Sequence, residues 1–449
     1  MTGEQIVRDA VEIWRAGVAA VDSATLVQAA LDIADSTLRI GSDSFPLDSI
    51  HRILVVGAGK AGAGMAEGLL RALGPQLCRQ KNVHGWVNVP DDCAREIPGI
   101  RIFAARPPGE NLPTPRVLEG TRQILKMVRD LSPNDLCICL ISGGGSALLD
   151  LPRHPITLTE QIGLIEHLSA ACANIQQLNT VRKQLSEVKG GRLAAACAAP
   201  LVGLIISDVL GDPLDVIASG PTVADSSTPA DALRILRQFD PTETAIAPSI
   251  YRVLRGGAVR AIAPGELSHA RNHVVGNIGV AIRAAAMQAQ RAGYQTDFRV
   301  PTKLEPSAEE IGHAMVERLR KLADRTDQVA WIEGGEPVVR LAPPAQRGLG
   351  GRNQQVVLAA AAVLLSDPIS VGKQFCILSG GTDGEDGPTD AAGAWIDAAS
   401  IAQAQRTGLN PDPYLQHNDA YHFFKPLGSL LLTGPTHTNV CDLRILVCR

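Results

Sequence analysis

The sequence predicts an α/β protein, and three observations carry that reading. Short apolar runs end in glycine-rich turns that reopen as helices, strand and helix patterns alternate through both halves, and aromatic residues make up only 3% beside 43 glycines. At 449 residues the chain is too long for one core of ordinary size. Two domains are expected, residues 1–240 and 241–449, divided near Phe239–Pro241 where the composition changes.

The elements follow in order. Two helices are expected first, Gln5 to Ala20 and Ser23 to Thr37, then a polar turn, GSDSFPLD. His51 to Val56 is a strand entering the glycine turn Gly57-Ala58-Gly59-Lys60-Ala61-Gly62, with a helix onward to Leu73. Strands Val83–Val89 and Arg101–Ala105 and a helix Thr114–Asp130 lead to LCICLISGGGSALLD, a strand, a glycine loop and a helix start. Alternation of this kind implies parallel pairing with right-handed crossovers. A helix near Thr157–Ala173 and a strand Leu201–Ile206 follow, the strand running into a loop with Asp208, Asp212 and Asp215. The second half gives strands near His273–Gly276, Gln295–Val300, Val329–Glu333, Phe375–Leu378 and Leu430–Leu432, with helices Ile278–Ala292, Ser307–Leu322 and one opening at Arg352. Several strands thus end in polar glycine loops, and open α/β sheets bind ligands beyond such ends.

Composition narrows the function. A net charge of −4 offers no basic field for nucleic acid or acidic membranes. No apolar run reaches the roughly 18 residues of a membrane span, and the N-terminal stretch reads as an amphipathic helix rather than a signal peptide. A cytoplasmic protein is expected. The nine cysteines lack metal-ligand spacing and read as reduced thiols, with Cys137 and Cys139 packing in the core.

Small anions fit the loops. Backbone N–H groups of Ser142-Gly143-Gly144-Gly145-Ser146 and the following helix start can hold one. Gly57 and Gly59 match G-x-G-x-x-G, but the acid that fingerprint expects after the next strand is missing, and the P-loop pattern is absent. Lys60, at the mouth of a helix, reinforces attraction for phosphate or carboxylate; the plainer account is a solvated lysine. Gly350-Gly351-Arg352-Asn353 places a guanidinium at another helix start, where a forked contact to such a group is natural. Asn179, Arg182, Lys183, Lys189 and Arg192 form a basic run, either a solvated helix face or a second anion-binding turn. Asp208 and Asp212, with Asp383 and Asp386, are loop carboxylates of the kind that hold Mg²⁺ beside substrate phosphates, although aspartate also favours turns and caps.

In this order the loops resemble the glycerate 2-kinase family, the type II glycerate kinases with a C-terminal MOFRL domain. The matching stretches are GAGKAGAGMA, SGGGSALL, NTVRKQLSEVKGGRLA, SDVLGDPLDVIASGPT, GGEP, GGRNQ, SGGTDGEDGPTDAAGA and TGPTHTNVCDL. The resemblance implies two three-layer α/β domains with a cleft between them, the first Rossmann-like with a mainly parallel sheet. It further implies ATP-dependent phosphorylation of glycerate at the 2-hydroxyl, with Mg²⁺, giving 2-phosphoglycerate and ADP. Lys60 and Arg352 match the family's catalytic lysine and arginine. Contacts to substrate and nucleotide are expected from the glycine loops with Ser142 and Ser146, and from Asn179, Arg182, Lys189, Glu336, Gly351, Asn353 and Asn439. The partners are then glycerate and nucleotide, and a homo-oligomer is compatible. The alternative is an NAD(P)H-dependent hydroxypyruvate reductase, a label some members carry. The chain departs from the family's pattern at His437 and Cys441, where glycine and asparagine are usual, and at Arg106-Pro107, where the usual pair is His-Pro.

Overall fold

The computed structural model describes residues 3–257, 259–323, 325–369 and 373–449. They form two compact units, Ser23–Val275 and a second made of residues 1–22 with Gly276–Arg449. Helix α1 (Gly3–Ala19) therefore opens the chain but belongs to the second unit.

The 23–275 unit starts with a short helix α2 (Ser23–Ala29) and a small antiparallel sheet, β1 (Leu31–Ala34), β2 (Thr37–Ile40) and β3 (Asp43–Pro46). A helix to Thr37 was expected here. Asp35 and Ser36 instead take left-handed φ values of 50° and 57°, the conformation a tight hairpin turn demands, so the chain doubles back.

The main sheet contains β4 (Ile53–Ala58), β5 (His84–Pro90), β6 (Ile100–Arg106), β7 (Leu136–Ile141), β8 (Leu201–Ile206) and β9 (Ala270–Gly276), in the order β6-β5-β4-β7-β8-β9. The pairs β4/β5, β5/β6, β4/β7 and β7/β8 are parallel, as the alternation requires. Every residue of β4, β7 and β8 is buried, which explains their unbroken apolar character. Helices α3 (Gly62–Gln80), α4 (Pro115–Arg129) and α5 (Gly145–Leu148) follow strands; α4 and α5 lie over the face that carries Leu54, Val56 and Ala58. The strand order reverses between β4 and β7. Such a switch point opens a crevice beyond the strand ends, and the turns after β4 and β7 are the two glycine loops singled out in the sequence.

Helices α6 (Leu158–Ala170), α7 (Ile175–Leu185), α8 (Arg192–Ala195), α9 (Pro229–Phe239) and α10 (Pro248–Arg255) complete this unit. The boundary expected near Phe239–Pro241 falls inside it. Leu164, Val181, Ile235, Leu236 and Ile250, from four of these helices, share one apolar cluster, and Asp240 accepts from the backbone of Thr244, Ala245 and Ile246.

The second unit holds helices α11 (Ile278–Arg291), α12 (Ala308–Ala323), α13 (Arg352–Ser366), α14 (Ala398–Thr407), α15 (Asp412–Gln416) and α16 (Ala420–Phe424). Its sheet comprises β10 (Gln295–Arg299), β11 (Val329–Gly335), β12 (Phe375–Gly381), β13 (Gly393–Asp397), β14 (Leu430–Leu431) and β15 (Asp442–Cys448), ordered β10-β11-β15-β12-β13-β14. Only β10/β11 is parallel; β15 runs antiparallel to both neighbours. Helices α1 and α11 pack together on β15, and Trp14 donates to Gly380 O at 3.2 Å. The strand β15 was not expected, because Arg444 interrupts its apolar run. That guanidinium is buried; its two terminal nitrogens donate to Glu305 and Gly334 O, and its Nε stands 3.2 Å from Glu333.

Candidate active site

At the switch point the two glycine turns interlock. Lys60 N donates to Gly143 O at 2.9 Å, Ser142 N to Ala58 O at 3.2 Å, and Ala61 N to Ser142 Oγ at 3.1 Å. The turns approach so closely that a Cβ on Gly59 would lie 2.2 Å from Ser142 Oγ, at a φ of 141°. Ser142 was expected to grip a ligand. Buried, with its oxygen engaged by Ala61 at the start of α3, it instead ties one loop to the other. Lys60 is half-buried beside Gly144, its Cγ 3.9 Å from where a Cβ on that glycine would stand. Gly144 holds φ 77°, the left-handed conformation that glycine adopts freely.

Beyond this loop, Ser146 Oγ lies 3.0 Å from Ser219 Oγ, and Ser219 donates to Asn179 Oδ1 at 3.0 Å. Since a hydroxyl carries one proton, Ser146 is the donor to Ser219, and its oxygen retains accepting capacity. Ser219 was not singled out in the sequence. The signal was its place before Gly220-Pro221: Ala218 and Ser219 both hold left-handed φ, at 50° and 60°, each an arrangement costing roughly 1–2 kcal/mol. Arg182, half-buried, donates to Ser146 O at 3.2 Å; burial lowers its pKa against the pull of Asp150.

Lys189 departs from the expectation of a ligand contact. It is fully buried, donates to Ser146 O at 2.6 Å and Leu149 O at 2.9 Å, and stands 3.5 Å from Asp150. Burial brings its pKa down to about 8 despite Asp150. Asp150 in turn accepts from Ser186 and Gln161. Lys183 and Arg192 are also buried, so with Lys189 they form an internal bracing network and not a solvated face.

In the second unit, Arg352 opens α13. Its Nε and Nη2 reach the two oxygens of Asp442 at 2.7 and 3.0 Å, and Nη1 reaches Glu336 at 2.7 Å. Burial opposes the charge, but Asp442 and then Glu336 outweigh it and raise the pKa. Glu336 thus orients Arg352, where a ligand contact was expected. Asp442, buried on β15, was missed with its strand.

Asn353 is likewise internal: it donates to Asp386 and Asp442 and accepts from Ser379 Oγ at 2.6 Å. Asp386 was grouped with the metal-holding acids. Its oxygens instead accept Asn353 N at 2.9 Å and Gln354 N at 2.8 Å, capping α13, and burial pushes its pKa up to about 7 against those hydrogen bonds. A Cβ on Gly351 would sit 2.2 Å from that carboxylate, which accounts for the glycine. Asn439 accepts from Cys441 N at 3.1 Å. His437 and Cys441 hold φ 57° and 76°, conformations that the family's usual glycine and asparagine adopt with little strain.

Asp208 and Asp212 are half-buried in the loop after β8, and Asp383 is half-buried after β12. Among the described residues no group of three or more histidine, cysteine or acidic side chains could hold a metal alone. Mg²⁺ does not need one: it keeps several waters and takes one or two carboxylates plus substrate phosphates, so these aspartates have the chemistry that fits.

A parallel α/β sheet with interlocked glycine turns and a lysine at its switch point defines an enzyme that handles small anionic ligands. The sequence matches a domain of unknown function, DUF4147, over residues 9–255 and the MOFRL family over residues 329–442. It is 37% identical to D-glycerate 2-kinase of Thermotoga maritima, covering 94% of this chain and 99% of that one, and 36% identical to human glycerate kinase, covering 98% and 92%. The crystal structure of glycerate kinase from Thermotoga maritima superposes with a TM-score of 0.83 over 99% of each chain. The chain belongs to the glycerate 2-kinase family.

Proposed function

We propose that the protein transfers the γ-phosphoryl group of ATP to the 2-hydroxyl of glycerate, giving 2-phosphoglycerate and ADP, as a cytoplasmic enzyme acting on small molecules. The observation that carries this is Lys60, set at the switch point between two glycine turns that hold each other in place.

Phosphoryl transfer asks a protein chiefly for positioning and charge stabilisation. Lys60 supplies a cation beside Gly143 and Gly144, where phosphate or carboxylate oxygens would rest. Arg352 supplies a guanidinium whose orientation Asp442 and Glu336 fix in advance. Ser146, Asn179 and Arg182 line the same loop in the 23–275 unit; the Ser146 oxygen would accept from a substrate hydroxyl, and the Asn179 amide and Arg182 would donate to further substrate oxygens. One carboxylate of the Asp208–Asp212 loop would hold Mg²⁺, which when bound neutralises phosphate charge. The other carboxylate of that loop takes the proton of the 2-hydroxyl as its oxygen bonds to phosphorus and ADP leaves.

The reductase alternative is not favoured. The relatives are named as kinases. In addition, Asn88, a buried amide bonded to Leu148 O and Trp86, stands near the end of β5, where dinucleotide folds place an acid for the ribose. One assay separates the readings: ADP formation from ATP, Mg²⁺ and glycerate against NAD(P)H oxidation with hydroxypyruvate. Lys60→Ala and Arg352→Ala are each expected to keep the fold and lower kcat by ~10³- to 10⁵-fold, the range of arginine-type stabilisers. Near-wild-type turnover removes the residue concerned from the mechanism.

A further inference from the structure

Arg106, which stands where the family's histidine is usual, has no part in the mechanism above. It ends β6 and is 2% exposed. Its guanidinium reaches Asn111 Oδ1 at 3.5 Å, the outer limit of a hydrogen bond, and its Nε is buried with no partner among the described residues. No carboxylate lies within ion-pair distance of it among those residues, and burial lowers its pKa against the more distant pull of Glu110 and Asp92. A buried cation without a counter-anion is costly and attracts one.

Its position is specific. A Cβ placed on Gly144 would lie 3.2 Å from Arg106 Nη2 and 3.9 Å from Lys60 Cγ, so the two cationic side chains flank the same glycine. Gly144 and Lys60 are themselves half-buried, which leaves that face of the loop approachable. A guanidinium offers paired donors matched to carboxylate and phosphate oxygens, which an imidazole does not.

We propose that Arg106 is a substrate-anchoring residue, whose guanidinium receives the anionic oxygen group of a ligand lying on the Ser142–Gly145 loop beside Lys60. The inference rests on the kinase reading for the identity of the ligands. Two of their groups share the required chemistry, the carboxylate of glycerate and a phosphate of the nucleotide.

The test measures dissociation constants of glycerate and of ATP with Mg²⁺, by calorimetry, for wild type, Arg106→Gln and Arg106→Lys, alongside ADP formation. Arg106→Gln is expected to weaken one ligand by ~10- to 100-fold, the loss of a charge-assisted hydrogen bond, and leave the other nearly unchanged. Weaker glycerate identifies the carboxylate; weaker ATP identifies the phosphate. Guanidinium ions in the millimolar range are expected to restore part of the loss. Equal changes in both constants, or none, overturn the assignment. If Arg106→Gln does not fold, Arg106→Lys decides: selective weakening at an unchanged melting temperature supports it, and unchanged constants refute it. Absence of ADP with wild type removes the kinase reading alone, since the two binding constants still decide the role of Arg106.

Discussion

Replacing Asp442 with asparagine strips Arg352 of its main partner while barely changing shape. Two charge-assisted hydrogen bonds, at 2.7 and 3.0 Å, lose their anion, and a carboxylate only 1% exposed disappears. Because Arg352 is 34% exposed and keeps Glu336, the loss is that of charge-assisted hydrogen bonds, about 1.5–3 kcal/mol. At roughly 2–4 °C per kcal/mol for a unit of this size, the melting temperature should fall by about 3–12 °C. Arg352 would then be held by Glu336 alone, a half-exposed partner, and a misplacement near 1 Å costs about 10²-fold in kcat. Glu336→Gln is the control, because an exposed pair contributes only about 0–1 kcal/mol. Thermal melts followed by circular dichroism and a coupled ADP assay read both effects. An Asp442→Asn enzyme with wild-type melting and turnover would show that the pair neither stabilises the unit nor orients the arginine.

Two further outcomes follow from buried charges. Asp386, with a folded pKa about 7 raised by burial, binds its proton more tightly in the native than in the unfolded chain. Its contribution to stability is therefore full below the ordinary aspartate range and is lost as pH rises toward 7, at no more than about 1.4 kcal/mol per pH unit. Urea titrations at pH 5 and pH 8 should show the stability of wild type relative to Asp386→Asn declining across that interval; a constant difference refutes it. Lys189→Met removes the buried cation facing Asp150, Ser146 O and Leu149 O, and is expected to lower stability by about 3–5 kcal/mol. Because the ammonium is internal, the KM for either substrate should stay near wild type in any folded protein recovered; a selective KM rise would return Lys189 to the ligand site.

The sequence carried the 23–275 unit well, because strands buried on both faces read as unbroken apolar runs and their helices show clear periodicity. It carried the second unit less well. The strand β15 hid behind Arg444, a cation inside a sheet whose counter-charges, Glu305 and Glu333, lie more than a hundred residues away. The same distance effect blurred the site. Motif residues divided into half-buried ones on the loops, such as Lys60, Ser146 and Arg182, and buried ones that brace the loops from within, such as Ser142, Lys189, Asn353 and Asp386. Nothing local distinguishes the two groups, since both consist of polar residues beside glycines, and burial decides between them only in three dimensions. Arg106 shows the converse. Its neighbours in sequence suggest a loop, while its side chain lies against a glycine 38 positions onward.

The placement of β15 also bears on how the polypeptide is made. This strand lies between β11 and β12, pairing with both, and the sheet it joins is covered by α1 from the other end of the described chain. During synthesis α1 emerges before the rest of its unit yet has no finished surface to dock on until residues 442–448 have left the ribosome. Until then β11 and β12 each present an open edge, the kind of surface that recruits foreign strands. The 23–275 unit can complete its sheet meanwhile, so a nascent chain would carry one folded unit alongside a helix held in waiting, and a chain stopped short of β15 would keep both edges exposed.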